Sequence, residues 1–317
     1  MNYWNTIDAL LREEWGSAHT GSMSRVITIA NGKGGVGKTS MTSGLAGLLA
    51  SAGSKVLVID CDPQGNLCRD LGYPEDSGAG LAAAIVSGRV PSVIEGVRDG
   101  LDAVPGGMEL FDVAPAVVAR RSRGTDIAGL APIIGMLAGY DFVLIDTPPG
   151  EPMLQEIAFR ATDYLLIPTR SDEASLDGLS SVARRFAAVK KDNPSLTLLG
   201  VVLFGIRRGS TRIERDIRSA LSEILGDVAP VFNASIRYLE SASVDMRRRG
   251  ILPHEMSSHQ SQARKERIAR LSSGQGVGDD DLFSRDSGGL ASDFDALATE
   301  MIKRIAEVDG SRHGGEE

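Results

Sequence analysis

The chain has 317 residues, 42% hydrophobic and 24% charged, enough to bury a sizeable α/β core with residues to spare. Its net charge of −8 excludes a uniformly basic nucleic-acid binder. No apolar run approaches the ~20 residues of a membrane span and no secretory signal is evident. With two cysteines, Cys61 and Cys68, a disulfide framework is excluded and a reducing cytoplasm is expected.

Taken in chain order, residues 1–22 form an N-terminal extension. Trp4, Ile7, Leu11 and Trp15 recur every three or four positions, the spacing of a short amphipathic helix. Its other side carries Asp8, Glu13 and Glu14, which suits an anionic membrane poorly. A helix packed on its own domain, a partner-binding peptide and a disordered segment all remain open. From 23 to 255 the pattern alternates. Strands are expected at 25–30, 55–60, 101–105, 141–146, 163–168, 197–204 and 228–232. Helices are expected at 38–52, 78–87, 125–138, 151–161, 174–191 and 211–225. Pro132 lies inside the third of these, so that helix either begins beside it or is kinked there. Such alternation predicts an α/β fold, a doubly wound and mostly parallel sheet flanked by helices. Residues 256–290 are polar and Gly/Ser/Asp-rich, the composition of a flexible insertion. Phe294, Leu297, Met301, Ile302 and Ile305 define a C-terminal amphipathic helix over 291–308, followed by a polar, disordered tail at 309–317.

The strongest chemical signal lies between the first strand and the first long helix. Gly32-Lys33-Gly34-Gly35-Val36-Gly37-Lys38-Thr39-Ser40 contains a complete G-x-x-x-x-G-K-[ST] loop in its expected strand–loop–helix context. Glycines let backbone N–H groups converge on one point, and the N-terminus of the following helix adds partial positive charge. Residues Gly34 to Ser40 are therefore expected to cradle a nucleoside triphosphate. Lys38 neutralises the β- and γ-phosphates, and the Thr39 hydroxyl ligates Mg²⁺. Two further apolar strands end in carboxylates. Lys55 to Ile59 runs into Asp60-Cys61-Asp62-Pro63-Gln64-Gly65-Asn66, and alternation puts Asp60 and Asp62 on one side of the chain. Phe142-Val143-Leu144-Ile145-Asp146 reads as a Walker B strand whose carboxylate serves Mg²⁺. The Thr147-Pro148-Pro149-Gly150 that follows reads as a switch loop.

Lys33 is one lysine more than phosphate binding needs. The form Lys33-Gly34-Gly35-Val36-Gly37-Lys38-Thr39 resembles the deviant Walker A motif of the ParA/MinD family of P-loop ATPases, closest to short ParA-type partition proteins. Residues 60–66 resemble that family's D-x-D-P-Q-x-N segment, and the resemblance covers about 24–255. It implies a Mg²⁺-dependent ATPase of weak intrinsic rate that forms a homodimer in the ATP state. Lys33 would reach the partner protomer's ATP, Asp62 would orient the attacking water and Asp60 would stand near the magnesium shell. Ile236 and Arg237 would lie on the adenine side, although this chain lacks the usual proline there. Gly205-Ile206 stands where relatives often have a polar base-reading residue. The resemblance further implies nonspecific DNA, a ParB-like centromere-binding partner with a basic N-terminal peptide, no membrane attachment and a cytoplasmic, nucleoid-associated location.

DNA binding itself is not decided by these motifs. Arg208, Arg212 and Arg215 fall on one helical face, Arg247, Arg248 and Arg249 are consecutive, and Arg264, Lys265 and Arg267 follow. A solvated arginine-rich surface competes with phosphate-backbone contact as their explanation. Other functions also stay open: a positioning ATPase for a protein cargo, an ATP-switched scaffold without DNA, and a metabolic P-loop enzyme.

Overall fold

The computed structural model describes residues 3–15, 24–170, 172–207, 211–226, 229–238, 247–256 and 287–313. Helix α1 (Tyr3–Trp15) precedes β1 (Arg25–Ile29), α2 (Lys38–Ser51), β2 (Val56–Asp60) and the short α3 (Leu67–Leu71). Then come α4 (Ala79–Ser87), β3 (Ile94–Arg98), β4 (Leu101–Val104), a 3₁₀ turn (Met108–Asp112), α5 (Val113–Arg121) and α6 (Ala131–Met136). The order continues with β5 (Phe142–Asp146), α7 (Pro152–Arg160), β6 (Tyr164–Thr169), α8 (Glu173–Val189), β7 (Thr197–Ile206), α9 (Thr211–Leu225) and β8 (Val231–Arg237). Helix α10 (Ser287–His313) ends the described chain.

The described strands make one eight-stranded sheet in the order β3-β4-β2-β5-β1-β6-β7-β8. All neighbours are parallel except β3, which pairs antiparallel with β4. β2 and β5 are buried on both faces and therefore read as unbroken apolar runs. Alternation along β2 still sorts its side chains. Val56 and Val58 join one core, whereas Leu57 and Ile59 join the other. The first core lies under α1, α2, α3 and α10; the second lies under α4 to α9.

Several boundaries differ from the sequence reading. β3 is unexpected, because its half-exposed Ile94-Glu95-Gly96-Val97-Arg98 lacks a buried run. The Asp99-Gly100 turn, with Gly100 at φ +73°, is a hairpin signal that periodicity does not carry. The helix expected over 125–138 shrinks to α6, with Pro132 in its first turn where its missing N–H costs nothing. The last strand extends to Arg237 and so crosses the stretch expected beside adenine. α3 and α5 are likewise unanticipated, and α10 is longer than the expected 291–308 at both ends. Most of the expected 256–290 insertion, at 257–286, lies outside the described residues, as does the end of the tail at 314–317.

Helix α1 packs on its own domain. Ile7, Leu10 and Leu11 are buried in the first core, and Trp15 meets Phe142 edge-on with ring centroids 6.0 Å apart. Arg25 stacks over the same Trp15 at 4.0 Å. α10 seals the same face. Phe294 presses so closely on α2 that a Cβ on Gly44 would fall 2.4 Å from its ring. This close approach brings α10 against the helix that follows the glycine-rich loop.

Candidate functional site: a phosphate loop with a carboxylate floor

β1 is the strand at which the winding direction reverses, having β5 on one side and β6 on the other. In open α/β sheets the crevice beyond the carboxyl end of such a strand is where ligands bind. The phosphate loop occupies that place. Gly35 and Gly37 take φ +73° and +92°, a region that side chains avoid. The ring of Phe204 from β7 lies against Gly37, where a Cβ would come within 2.3 Å of it. Val36 is buried beneath the loop, and Gly34 stands exposed above it. α2 then starts at Lys38, its N-terminus facing the loop.

Lys38 is buried, and its ammonium donates to the Lys33 carbonyl at 3.0 Å. Burial pushes its pKa down, while Asp146 and Asp62 hold the charged form up. The Thr39 hydroxyl donates to Asp146 Oδ2 at 2.7 Å. Asp146 and Asp60 sit opposite each other in the β2–β5 register, and both are fully buried. Asp60 accepts from the backbone N–H groups of Asp62 (2.9 Å) and Leu67 (3.2 Å). Asp62 accepts from the Gln64 N–H at 2.9 Å, a local turn that fixes its carboxylate. Burial drives all three acids upward, Asp146 to about 7 and Asp60 well above the usual carboxylate range; for Asp60, mutual repulsion with Asp146 adds to it.

The donor set fits a hard divalent cation. Asp146 Oδ1 is buried and, among the described residues, has no hydrogen-bond partner; it lies beside a hydroxyl and next to a second carboxylate. Among the described residues no group of three or more His, Cys, Asp or Glu forms a complete cage. An incomplete cage suits magnesium, which keeps waters and shares substrate phosphates instead of filling its shell from protein.

Lys33 behaves differently from Lys38. Its side chain is only partly buried, and its ammonium pairs with Asp172 Oδ1 at 2.5 Å, just beyond β6. Its N–H is held by Asn31 Oδ1 at 2.8 Å, and Asn31 in turn donates to the Pro168 carbonyl at 2.7 Å. Thr147, first in the expected switch loop, donates to the Ile29 carbonyl at 2.9 Å. Gln155 donates to the Pro148 carbonyl at 2.7 Å, tying that loop to α7.

A cavity of about 150 Å³ opens beside Gly35, Gly37 and Ser40. Ile236 and Arg237 both line it, together with Phe204 and with Phe294 from α10. Arg237 is clamped by Asp293 of α10 through two side-chain bonds of 2.7 and 2.8 Å. Arg247 lines the same cavity and faces the buried carboxylate of Asp70 at 3.7 Å. Sequence alone groups Arg247 with DNA contacts; the fold also sets it on the cavity beside the phosphate loop.

A family model described as an AAA domain matches residues 24–198. The chromosome partitioning protein ParA of Caulobacter vibrioides is 32% identical over 226 residues, 69% of this chain and 84% of that protein. The chain belongs to the ParA/MinD family of ATPases.

Other members agree. The chromosome-partitioning ATPase Soj of Thermus thermophilus is 31% identical over 228 residues, 69% of this chain and 85% of its own length. The septum site-determining protein MinD of Pyrococcus horikoshii, solved with Mg-ADP, superposes with a TM-score of 0.58 at 25% identity, covering 87% of this chain and 95% of that one. This ParA/MinD-family chain is therefore a P-loop ATPase with the expected sheet. Of its arginines, Arg212 and Arg215 are exposed on α9, and Arg247, Arg248 and Arg249 are exposed before residue 250. Arg208, Arg264, Lys265 and Arg267 lie outside the described residues. Sequence reading misses Asp172 and Asp70. Asp172 has a signal, an acid just past an apolar strand, whereas Asp70 has none until α3 folds it onto α2. Among the described residues no helix is long and apolar enough to cross a membrane.

Proposed function

We propose that this ATPase binds Mg-ATP between the phosphate loop and the β2–β5 carboxylates, pairs with a second copy while ATP is bound, and in that state holds DNA nonspecifically. The observation that carries this reading is the contrast between the two loop lysines. Lys38 is buried over its own phosphate site, whereas Lys33 is turned outward to Asp172 on the open face. A lysine in that position can trade Asp172 for the γ-phosphate of a facing protomer, which makes occupancy and pairing one event. The buried Asp146 Oδ1 and the Thr39 hydroxyl would hold magnesium, which supplies charge neutralisation at the β- and γ-phosphates. Asp62, fixed by the Gln64 N–H, would orient the attacking water, and Asp60 behind it would keep that carboxylate in place.

DNA retention is supported by the exposed Arg212, Arg215, Arg248 and Arg249, since pairing doubles the number of phosphates engaged. Relatives that partition chromosomes support a role in DNA segregation, with hydrolysis stimulated by a ParB-like partner and a nucleoid-associated, cytoplasmic location. A DNA-retention assay with ATP, ADP and no nucleotide tests the reading. Retention with ATP alone is expected; equal retention in all three states would overturn it. A positioning role for a protein cargo would instead give ATP-dependent pairing without DNA retention.

A further inference from the structure

The cavity beside the phosphate loop has apolar walls from Phe204, Ile236 and Phe294, and a polar edge rich in arginine. Two of its arginines already face carboxylates: Arg237 is clamped by Asp293, and Arg247 faces Asp70. Arg170, the residue after β6, is placed differently. Its guanidinium lies over Gly205, where a Cβ would fall 3.2 Å from Nε and 3.4 Å from Nη2. The ring of Tyr238 also lies by this guanidinium, with its centroid 5.9 Å from Cζ. Gly205, at φ +78°, thus leaves the room that the guanidinium fills. Nε of Arg170 is buried and, among the described residues, has no hydrogen-bond partner. The guanidinium that carries this unmet donor lines the cavity, which makes a ligand there the natural source of a partner.

We propose that Arg170 is the base-reading residue of this site, and that it reads a purine through acceptor atoms, so that the pocket takes guanine as well as adenine nucleotides. The proposal rests on the cavity being the base side of the ATP site. The chemistry follows from the guanidinium, which offers only donors. Guanine presents O6 and N7, two adjacent acceptors that match the fork of an arginine. Adenine presents N7 beside an N6 amino group, which is itself a donor and opposes a cation. Residues 205 and 206 are Gly and Ile, so neither side chain there accepts from N6. The face of either purine would lie against Phe204 and Ile236, which are indifferent to the exocyclic groups. Selection therefore falls on the edge that Arg170 addresses.

The test is equilibrium binding of non-hydrolysable ATP, GTP and ITP analogues to the full chain, the wild type beside R170Q and R170K. ITP keeps O6 and N7 but lacks the 2-amino group. Wild type is expected to bind GTP and ITP within about tenfold of ATP. R170Q, whose amide can accept from N6, is expected to shift the preference toward ATP by roughly tenfold or more, with GTP and ITP losing affinity together. R170K keeps the charge, loses the fork and is expected to shift it in the same direction. A purely structural arginine would weaken all three nucleotides alike. Unchanged ratios in both variants, or a wild type preferring ATP more than a hundredfold, would overturn the assignment while leaving the ATP site intact. Failure of the wild type to bind any of the three would instead overturn the reading of the cavity.

Discussion

Thr39 Oγ1 donates to Asp146 Oδ2 at 2.7 Å, and this single bond joins the first turn of α2 to the end of β5. It leaves Asp146 Oδ1 buried and unmet, beside a second buried acid. Replacing Asp146 by Asn should therefore separate stability from activity. Hydrolysis in magnesium is expected to fall by about 10²–10³. Above pH 7 the metal-free variant should melt higher than wild type, because a buried acid that ionises there is gone. The pH sign is fixed by the direction of the shift. With Asp146 raised to about 7, the native state holds a proton that the unfolded chain releases near pH 4, so the contribution of Asp146 to metal-free stability is lost as pH rises from 4 to 7. Melting curves of wild type and the Asn variant, with and without magnesium across that range, check both points, and a metal-free difference between the two that does not change with pH would count against the assignment.

Asp62 lies on the turn after β2, with Gln64 donating to it and Asp60 behind it. Asp62→Ala is expected to lower turnover by about 10²-fold or more while ATP affinity stays within a few-fold. Single-turnover hydrolysis and nucleotide titration on the same preparation check this. Unchanged turnover would remove Asp62 from the water-orienting role.

Lys33 meets Asp172 at the surface, where such a pair contributes about 1 kcal/mol or less to stability. Lys33→Ala should thus melt like wild type and still bind ATP, yet remain monomeric with ATP by light scattering. A dimer in that variant would contradict the cross-interface role.

On α9, Arg212 and Arg215 are exposed, and changing both to Glu should weaken ATP-dependent DNA retention. The slope of log affinity against log salt should shrink by about one for each phosphate that the variant no longer engages. A salt titration of retention reads this directly, and an unaltered slope would move the DNA surface elsewhere.

His254 is buried against Ser51, 3.4 Å from its hydroxyl, with Glu255 and Arg98 nearby. Burial lowers its pKa to about 4. Below pH 6.5 the unfolded chain takes up a proton that the native site refuses, so the contribution of His254 to stability falls as pH drops toward 4. The expected loss is up to about 3 kcal/mol. His254→Gln should flatten acid denaturation in this window, and denaturant midpoints at pH 7 and pH 4.5 measure the difference.

Much of the fold is legible because its central strands are apolar on both faces and its helices are amphipathic, as β2, β5 and the Leu297–Ile305 stripe illustrate. The phosphate loop, Asp60, Asp62 and Asp146 are legible for a related reason. Each lies at a strand end, where the backbone alone decides which side chain faces the crevice. β3 escapes notice because an exposed edge strand needs no hydrophobic run, and α3 because five residues carry too little periodicity.

The order of glycines around Lys38, and the acids ending β2 and β5, determined that this chain binds and hydrolyses a nucleotide, since local geometry suffices to build that chemistry. Tertiary structure decided what stands around it. Asp172 on Lys33, Asp70 beside Arg247 and Arg170 over Gly205 join residues 139, 177 and 35 positions apart in the sequence. No spacing rule connects such pairs, because only the packing of β6, β7, α2 and α3 brings their backbones within reach.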